Sequence, residues 1–216
     1  MRPDDHLPDI LSHAWSLLVR GGADRKSPVH TPVVASVDED GLPQARVMVL
    51  RKADPAAGTL RFHTDARSPK VAQLDGRAVA VCAYHAGEQV QLRISGIARI
   101  GRSAEEVDAL WQQSTLFARR CYLAEQAPGT PLPGPASGLP AWIEGQQPTA
   151  EQIVPARPNF SVLWVGVTGI DWLHLANSGH RRAQFHADDG WASAYGCSCQ
   201  AIWRRYQQRA TGRLRG

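Results

Sequence analysis

Residues 46–74, RVMVLRKADPAAGTLRFHTDARSPKVAQL, contain two strand-like runs, a turn ending at Gly58, and a Ser68-Pro69-Lys70 helix start. Strand, turn, strand and helix within so short a span constrain the fold more than any other stretch. Two apolar runs joined by a tight turn must pair antiparallel, and the helix must leave from the end of that hairpin. Arg46, Arg51, Thr64, Ser68 and Lys70 fall at the ends or edges of these elements. Hydroxyls, cationic groups and a helix start converging in this way suit a phosphate-bearing ligand. Taken singly, Arg46 and Arg51 read as solvent-facing strand residues and Ser68 as a helix cap.

The rest of the chain extends the β pattern. Residues 7–19 carry apolar positions at helical spacing and predict an amphipathic helix ended by Gly21-Gly22, packed across a sheet edge. PVVASV, the turn DEDG at 38–41 and PQARVMVL predict a hairpin, and TLRFHT a further strand. At Ser68-Pro69 the Ser caps and the Pro takes the first helical position, with Asp75-Gly76 closing the helix. AVAVCAY is nearly all apolar and predicts a strand buried on both faces, with Cys82 in the core. QVQLRISGIARI alternates, Val90, Leu92 and Ile94 facing one way and Gln89, Gln91 and Arg93 the other, with a bend or bulge at Gly96. A helix follows from Ser103. Residues 127–158 are rich in Pro and Gly and predict an ordered, irregular loop rather than a linker. SVLWVGV, IDWLHLA and GWASAY predict three more strands. They are too few to fold alone. The expectation is one domain over 1–216: a mainly β, antiparallel, barrel-like sheet of about six to eight strands with a few peripheral helices, an N-terminal helix within 1–22 and a basic tail at 200–216.

Composition sets the class. At 43% hydrophobic residues the chain has material for a core, and no apolar run approaches the ~20 residues of a membrane span. MRPDDHLPDI carries acids where a signal peptide would carry a basic and then an apolar region, so a cytoplasmic protein is expected. The net charge is +4, nearly all from Arg, with Lys only at Lys26, Lys52 and Lys70. Arg204, Arg205, Arg209, Arg213 and Arg215 crowd the C-terminus and read as a solvated end rather than a nucleic-acid tail. Cys197-Ser-Cys199 lacks a second pair at zinc-like spacing. His174, His180 and His186 leave a haem or metal site as a minor alternative, and no metal is expected.

Arg46-x-x-x-x-Arg51, FHTD at 62–65 and Ser68-x-Lys70 together resemble the pyridoxamine 5′-phosphate oxidase family, whose pattern is close to R-x-V-L-L-K, F-Y-T-N and S-x-K. Gln91-x-x-x-x-Gly96-x-Ala98, Trp172 in IDWLHL and His180-Arg181-Arg182 continue the likeness. The resemblance implies an FMN-binding split β-barrel with FMN at a homodimer interface. It implies that Arg46 and Lys70 hold the FMN phosphate with Ser68, and that Thr64 lines the ribityl or phosphate path. Arg51 would approach the isoalloxazine and Gln91 its polar edge, with Trp172 and Arg182 coming from the partner subunit. Val47, Val49, Leu50 and His63 complete the cofactor-binding set, and Arg181, Arg182 and His63 are the catalytic candidates.

Several positions depart from the family pattern. Arg51 stands for the usual Lys, His63 for Tyr, and Pro69 for a common basic residue. Where the oxidases grip the substrate phosphate with a Tyr and an Arg, Trp111 and Thr115 stand nearest, with Arg119 and Arg120 as substitutes. The expected function is FMN-dependent oxidation of an amine or alcohol resembling pyridoxamine or pyridoxine 5′-phosphate, with O₂ as acceptor. The alternatives are a non-catalytic flavin- or haem-binding protein, or an FMN-dependent reductase of another small molecule.

Overall fold

The computed structural model describes residues 6–101, 103–177 and 179–191. Eight antiparallel strands form one sheet, ordered β2-β1-β5-β6-β7-β4-β3, with β8 on β7. They are β1 (Val33–Val37), β2 (Pro43–Val47), β3 (Leu50–Asp54), β4 (Thr59–Asp65), β5 (Ala78–His85), β6 (Val90–Ile100), β7 (Phe160–His174) and β8 (Arg181–His186).

β2 and β3 lie at opposite ends of that order, yet only Met48 and Val49 separate them in sequence. Two residues span at most ~7 Å, so the sheet must curl until its ends nearly meet. Met48 N–H donates to Pro32 O and Leu50 N–H to His30 O, which holds the crossover in place. No ladder joins β2 to β3, so the barrel is split rather than closed. The predicted single strand 43–50 is therefore two strands serving opposite sheet ends.

The run predicted as two strands, SVLWVGV and IDWLHLA, is one strand of 15 residues. One edge of β7 pairs with β6; the other pairs first with β4 (Asp65↔Phe160 to Thr59↔Gly166) and then with β8 (His186↔Gly169 to Arg181↔His174). The register shifts between Ser95 and Gly96, as the lone Gly predicts. β8 was not expected: RRAQFH offers only two inward apolar residues, Ala183 and Phe185, amid charge. Of the expected strand GWASAY, only Gly190 and Trp191 are among the described residues.

Leu60, Phe62, Leu92, Ile94, Leu163, Val165 and Trp172 fill the inner core. Helix α1 (Leu7–Ala23) runs through Gly21-Gly22 instead of stopping there, and lays Ile10, Ala14, Leu17 and Leu18 into this core. A Cβ at Gly21 would sit 2.9 Å from Val29 O and one at Gly22 3.1 Å from Lys52 Cα, so small residues let the helix seat on the chain beneath it. The remaining helices are α2 (Lys70–Leu74), α3 (Ala104–Gln113) and α4 (Leu116–Arg119). A second cluster lies on the outer face of β7, where Phe160 and Val162 meet Trp111, Tyr122, Ile143 and Ile153. The Pro/Gly-rich loop is ordered because it delivers those two isoleucines.

β5 corrects an expectation. It buries alternate residues only, leaving Ala78, Ala80, Cys82 and Tyr84 exposed, so Cys82 is not a core residue.

The Gly96–Gly166 approach tests the register. A Cβ at Gly96 would fall 2.5 Å from Gly166 O and 2.6 Å from Val165 Cγ1. Gly96→Ala should cost at least about 1–3 kcal/mol in urea unfolding. A Cβ at Gly166 meets only Ile97 O, at 3.8 Å, and Gly166→Ala should stay close to wild type.

Candidate functional site

Arg46 lies opposite Val34, so its side chain leaves β2 on the core-facing side of the sheet. Its Nη1 donates to Ser36 Oγ at 2.7 Å and to Val34 O at 3.3 Å. Lys70 opens α2, where its Nζ donates to Ser68 Oγ at 3.0 Å. Ser68 therefore does not cap the helix with its hydroxyl: Pro69 occupies the cap position, and the hydroxyl turns to the ammonium. Burial lowers the Lys70 pKa, and Arg46 lowers it further, so two cations share a partly desolvated place. Asp65, the acid acting on Lys70, is held by Arg67 through two guanidinium nitrogens, at 3.0 and 2.8 Å. Thr64 is buried nearby on β4 and its Oγ1 has no hydrogen-bond partner. Two cations with a single, already engaged acid suit a dianion, which would restore charge balance and accept several charge-assisted hydrogen bonds.

A second group stands on the outer face of β3 and β4. Leu50 pairs with Phe62 and Lys52 with Arg61, so Arg51 is the extra residue of a bulge that re-aims its side chain. Arg51, Arg61 and His63 act on one another electrostatically. The His63 ring meets the Phe160 ring edge-on at 4.9 Å. Burial first, then Arg51 and Arg61, lower the His63 pKa to about 3. The imidazole is thus neutral at physiological pH and can exchange hydrogen bonds but carries no charge. Arg67 and Arg61 escaped the sequence reading; Arg61 stands at an alternating position of TLRFHT, which marked it only as outward.

Other expected residues lie elsewhere. Gln91 is half-buried on β6, between Tyr84 and Leu173. Arg182, on β8, binds both carboxylate oxygens of Asp171, with Nε at 2.8 Å. Trp172 is 2% exposed in the core of its own chain, which leaves it no surface to offer a ligand across an interface. Leu50 is fully buried, so only its main chain is available; Val49 is half-buried and Val47 is 65% exposed. Arg181 is exposed opposite His174. Gln91↔Leu173 and His63↔Val162 are eleven residues apart on β7, roughly 35 Å along the strand. One chain does not bring Gln91 and Arg182 to Arg51 and His63.

The expected substrate-phosphate grip is occupied by packing. Trp111 is a buried core residue, and Thr115 caps α4 by accepting from Ala118 N. Arg119 stacks over Trp111 and donates to Gln112 O; Arg120 stacks over Phe117 and donates to Gln146 O. His174 and His186 sit at opposite ends of the β7–β8 ladder, so the three histidines weighed for haem are not gathered. Among the described residues no group of three or more metal-ligating side chains occurs. Cys197, Cys199 and the basic tail lie outside the described residues.

His63 yields a pH prediction. Its pKa is about 3 folded and 6.5 free, so the unfolded chain binds the extra proton between those values and stability falls as pH drops through that window. By pH 5 this costs about 2 kcal/mol relative to pH 7. His63→Gln should remove that share of the acid sensitivity in urea unfolding at pH 7 and pH 5. Equal pH dependence in both proteins would show that His63 is not held neutral.

Residues 12–102 match the family described as pyridoxamine 5′-phosphate oxidase, FMN-binding domain. The pyridoxine/pyridoxamine 5′-phosphate oxidase of Jannaschia sp. is 27% identical over 199 residues, covering 85% of this chain and 91% of that protein. That of Hyphomonas neptunium is 27% identical over 197 residues, covering 88% and 87%. A pyridoxamine 5′-phosphate oxidase-related, FMN-binding protein of Nostoc punctiforme superposes with a TM-score of 0.65 at 22% identity, covering 87% of this chain and 95% of that one. PhzG of Burkholderia lata, solved with tetrahydrophenazine-1-carboxylic acid, gives 0.64 at 18% identity, covering 90% and 94%. The cationic mouth of the barrel and the orphaned Thr64 hydroxyl fit the phosphate end of FMN. The match to the FMN-binding domain of pyridoxamine 5′-phosphate oxidases thus covers residues 12–102, and the fold of the described residues is the split barrel of the Nostoc punctiforme protein.

Proposed function

We propose that this protein is an FMN-dependent oxidoreductase that works as a homodimer and oxidises an amine or alcohol of a small molecule, with O₂ as acceptor. The observation that carries the cofactor end is the Arg46–Lys70 pair, two desolvated cations whose nearest acid is engaged by Arg67. Arg46 and Lys70 bind the phosphate, Ser68 orients the Lys70 ammonium, and Thr64 supplies a hydroxyl to the same path. Arg51 places positive charge beside the ring system, which favours its reduced, anionic state. Held there, FMN would supply the two-electron redox chemistry that links oxidation of the substrate carbon to reduction of O₂. His63, neutral and against Phe160, holds or accepts a proton at a ring nitrogen without adding charge.

The dimer rests on two features of the chain. The outer face of β2, β1, β5 and β6 carries Val47, Val33, Val37, Tyr84 and Ile97, each exposed, around Ala80 and Cys82. An apolar face over β2, β1 and β5, bordered on β6 by Ser95, Arg93 and Gln91, supports an interaction surface with a polar rim. Gln91 and Arg182 lie far along β7 from His63, so a flavin touching both sets takes Gln91 and Arg182 from a second copy.

A second reading, an FMN-dependent reductase or a carrier, is favoured by one observation. Thr115, Arg119 and Arg120 are committed to capping and packing, so the grip that oxidases of this family apply to a substrate phosphate is absent there.

The purified protein should be yellow and should release peroxide from pyridoxamine 5′-phosphate under O₂. Flavin absorbance without peroxide would retire the oxidase reading and leave the cofactor. Arg46→Ala with Lys70→Ala should weaken FMN binding by at least ~100-fold, since charge-assisted hydrogen bonds contribute ~1.5–3 kcal/mol each; unchanged affinity would put the phosphate elsewhere. Ala80→Asp should yield monomers in light scattering and lower FMN affinity. A monomeric wild-type protein that binds FMN tightly would overturn the interface.

A further inference from the structure

The acid beside the Arg46–Lys70 pair does not touch it. Asp65, buried at the end of β4, is held instead by Arg67. Its Oδ1 accepts from the Arg67 main-chain N–H at 2.8 Å and from Nε at 3.0 Å, and its Oδ2 accepts from Nη2 at 2.8 Å. The remaining guanidinium nitrogen, Nη1, donates to Ala124 O at 2.9 Å, just after the helical turn Arg120–Leu123. The fork is therefore anchored from outside the loop it serves. Each of its three nitrogens has a partner, and the bond to Asp65 raises the Arg67 pKa. A planar fork on two carboxylate oxygens fixes the direction of the acid as well as its charge.

Lys70 is the group this arrangement protects. Among the described residues its ammonium donates to Ser68 Oγ at 3.0 Å and not to Asp65. Burial first, then Arg46, weigh against the Lys70 charge, and Asp65 supports it without contact. A phosphate site needs that balance. A carboxylate in contact with the ammonium would compete for its donors and repel the phosphate. Without Arg67, the buried Asp65 carboxylate would lose its two side-chain bonds. An unpaired buried charge is costly, and Lys70 is the cation it would turn to. Arg67 itself is not a further phosphate donor, because its guanidinium is fully engaged.

We propose that Arg67 is a positioning residue for the cofactor phosphate: by clamping Asp65 it keeps that carboxylate off Lys70, and the site thereby prefers a phosphorylated flavin to an unphosphorylated one. This role rests on the reading of Arg46 and Lys70 as the phosphate-binding pair. Arg67 acts through Asp65 alone, so removing the acid should make the clamp dispensable.

FMN and riboflavin affinities are measured by flavin fluorescence quenching on the full-length apoprotein. The Lys70 pKa is read from the pH dependence of its acylation rate, resolved by mass spectrometry. Arg67→Ala should weaken FMN at least tenfold and leave riboflavin within twofold. It should also raise the Lys70 pKa, because a carboxylate in contact favours the ammonium. Adding Asp65→Asn to Arg67→Ala should restore FMN affinity and return the Lys70 pKa to its wild-type value or below. Asp65→Asn alone should bind FMN at least as tightly as wild type. If Arg67→Ala does not fold, Arg67→Lys, which keeps the charge and loses the fork, should show the same FMN-selective loss in smaller measure. Equal loss of FMN and riboflavin, no rescue by Asp65→Asn, or an unchanged Lys70 pKa would each overturn the proposal by leaving Arg67 a structural role. If wild type binds FMN no more tightly than riboflavin, the phosphate-pair reading falls and the selectivity with it. A Lys70 pKa that still rises in Arg67→Ala would then keep the clamp.

Discussion

β7 is the constraint on which the rest of the molecule depends. One of its edges is paired with β6 throughout, while its other edge is given first to β4 and then to β8. A strand of 15 residues can do this only if it bends, and the bulge opposite Gly96 supplies the bend. Gly96 is required there because a Cβ would collide with the Gly166 carbonyl at 2.5 Å. The division of that edge parts the polar residues into a set near Phe160 (His63, Arg61, Arg51) and a set near Leu173 (Gln91, Arg182). The separation of these sets is therefore a property of the fold, and it is what the proposed homodimer would bridge.

Around that frame the chain tolerates charge where a core would reject it. Burial and then Arg46 lower the Lys70 pKa, and on the opposite face burial and then Arg51 lower that of Arg61. Buried like charges oppose folding unless something of opposite sign is present. The nearby acids are engaged: Asp65 by Arg67, Asp171 by Arg182, Glu106 by Arg99. Folding thus leaves positive potential at two places and neutralises it elsewhere. That selectivity is the mark of ligand sites rather than of a generally basic surface.

Much of this was legible in the sequence, and the limits have physical causes. The gathering of Arg46, Ser68 and Lys70 could be read because strand, turn and helix start are local signals and these residues sit at their ends. Alternation in QVQLRISGIARI gave β6 its faces, and the lone Gly96 gave the bulge. The break at Met48–Val49 was hidden because β2 and β3 share one apolar run; only the curl of the whole sheet separates them. β8 was hidden because its pairing to β7 supplies what its composition lacks. Trp172 was given to the interface by the resemblance alone; in the single chain it is buried in the core, as an apolar strand residue would be.

β5 turns one disagreement into an argument. AVAVCAY reads as buried on both faces, yet in the single chain Ala80, Cys82 and Tyr84 are open to solvent. Nothing about the inner face needs small apolar residues on the outer one, and an antiparallel strand with one wet face normally alternates with polar side chains. This composition supports the proposed homodimer, in which the outer face of β5 would be covered. Val33 and Val47 flank β5 on the same outward surface, so the apolar area spans β2, β1 and β5, while on β6 only Ile97, beside Ala78, extends it and Ser95, Arg93 and Gln91 border it. A second copy of this sheet would meet it with equally flat, equally apolar residues. The apolar pattern of β5 and the separation of polar residues along β7 are independent features of the chain, and both support the homodimer proposed above.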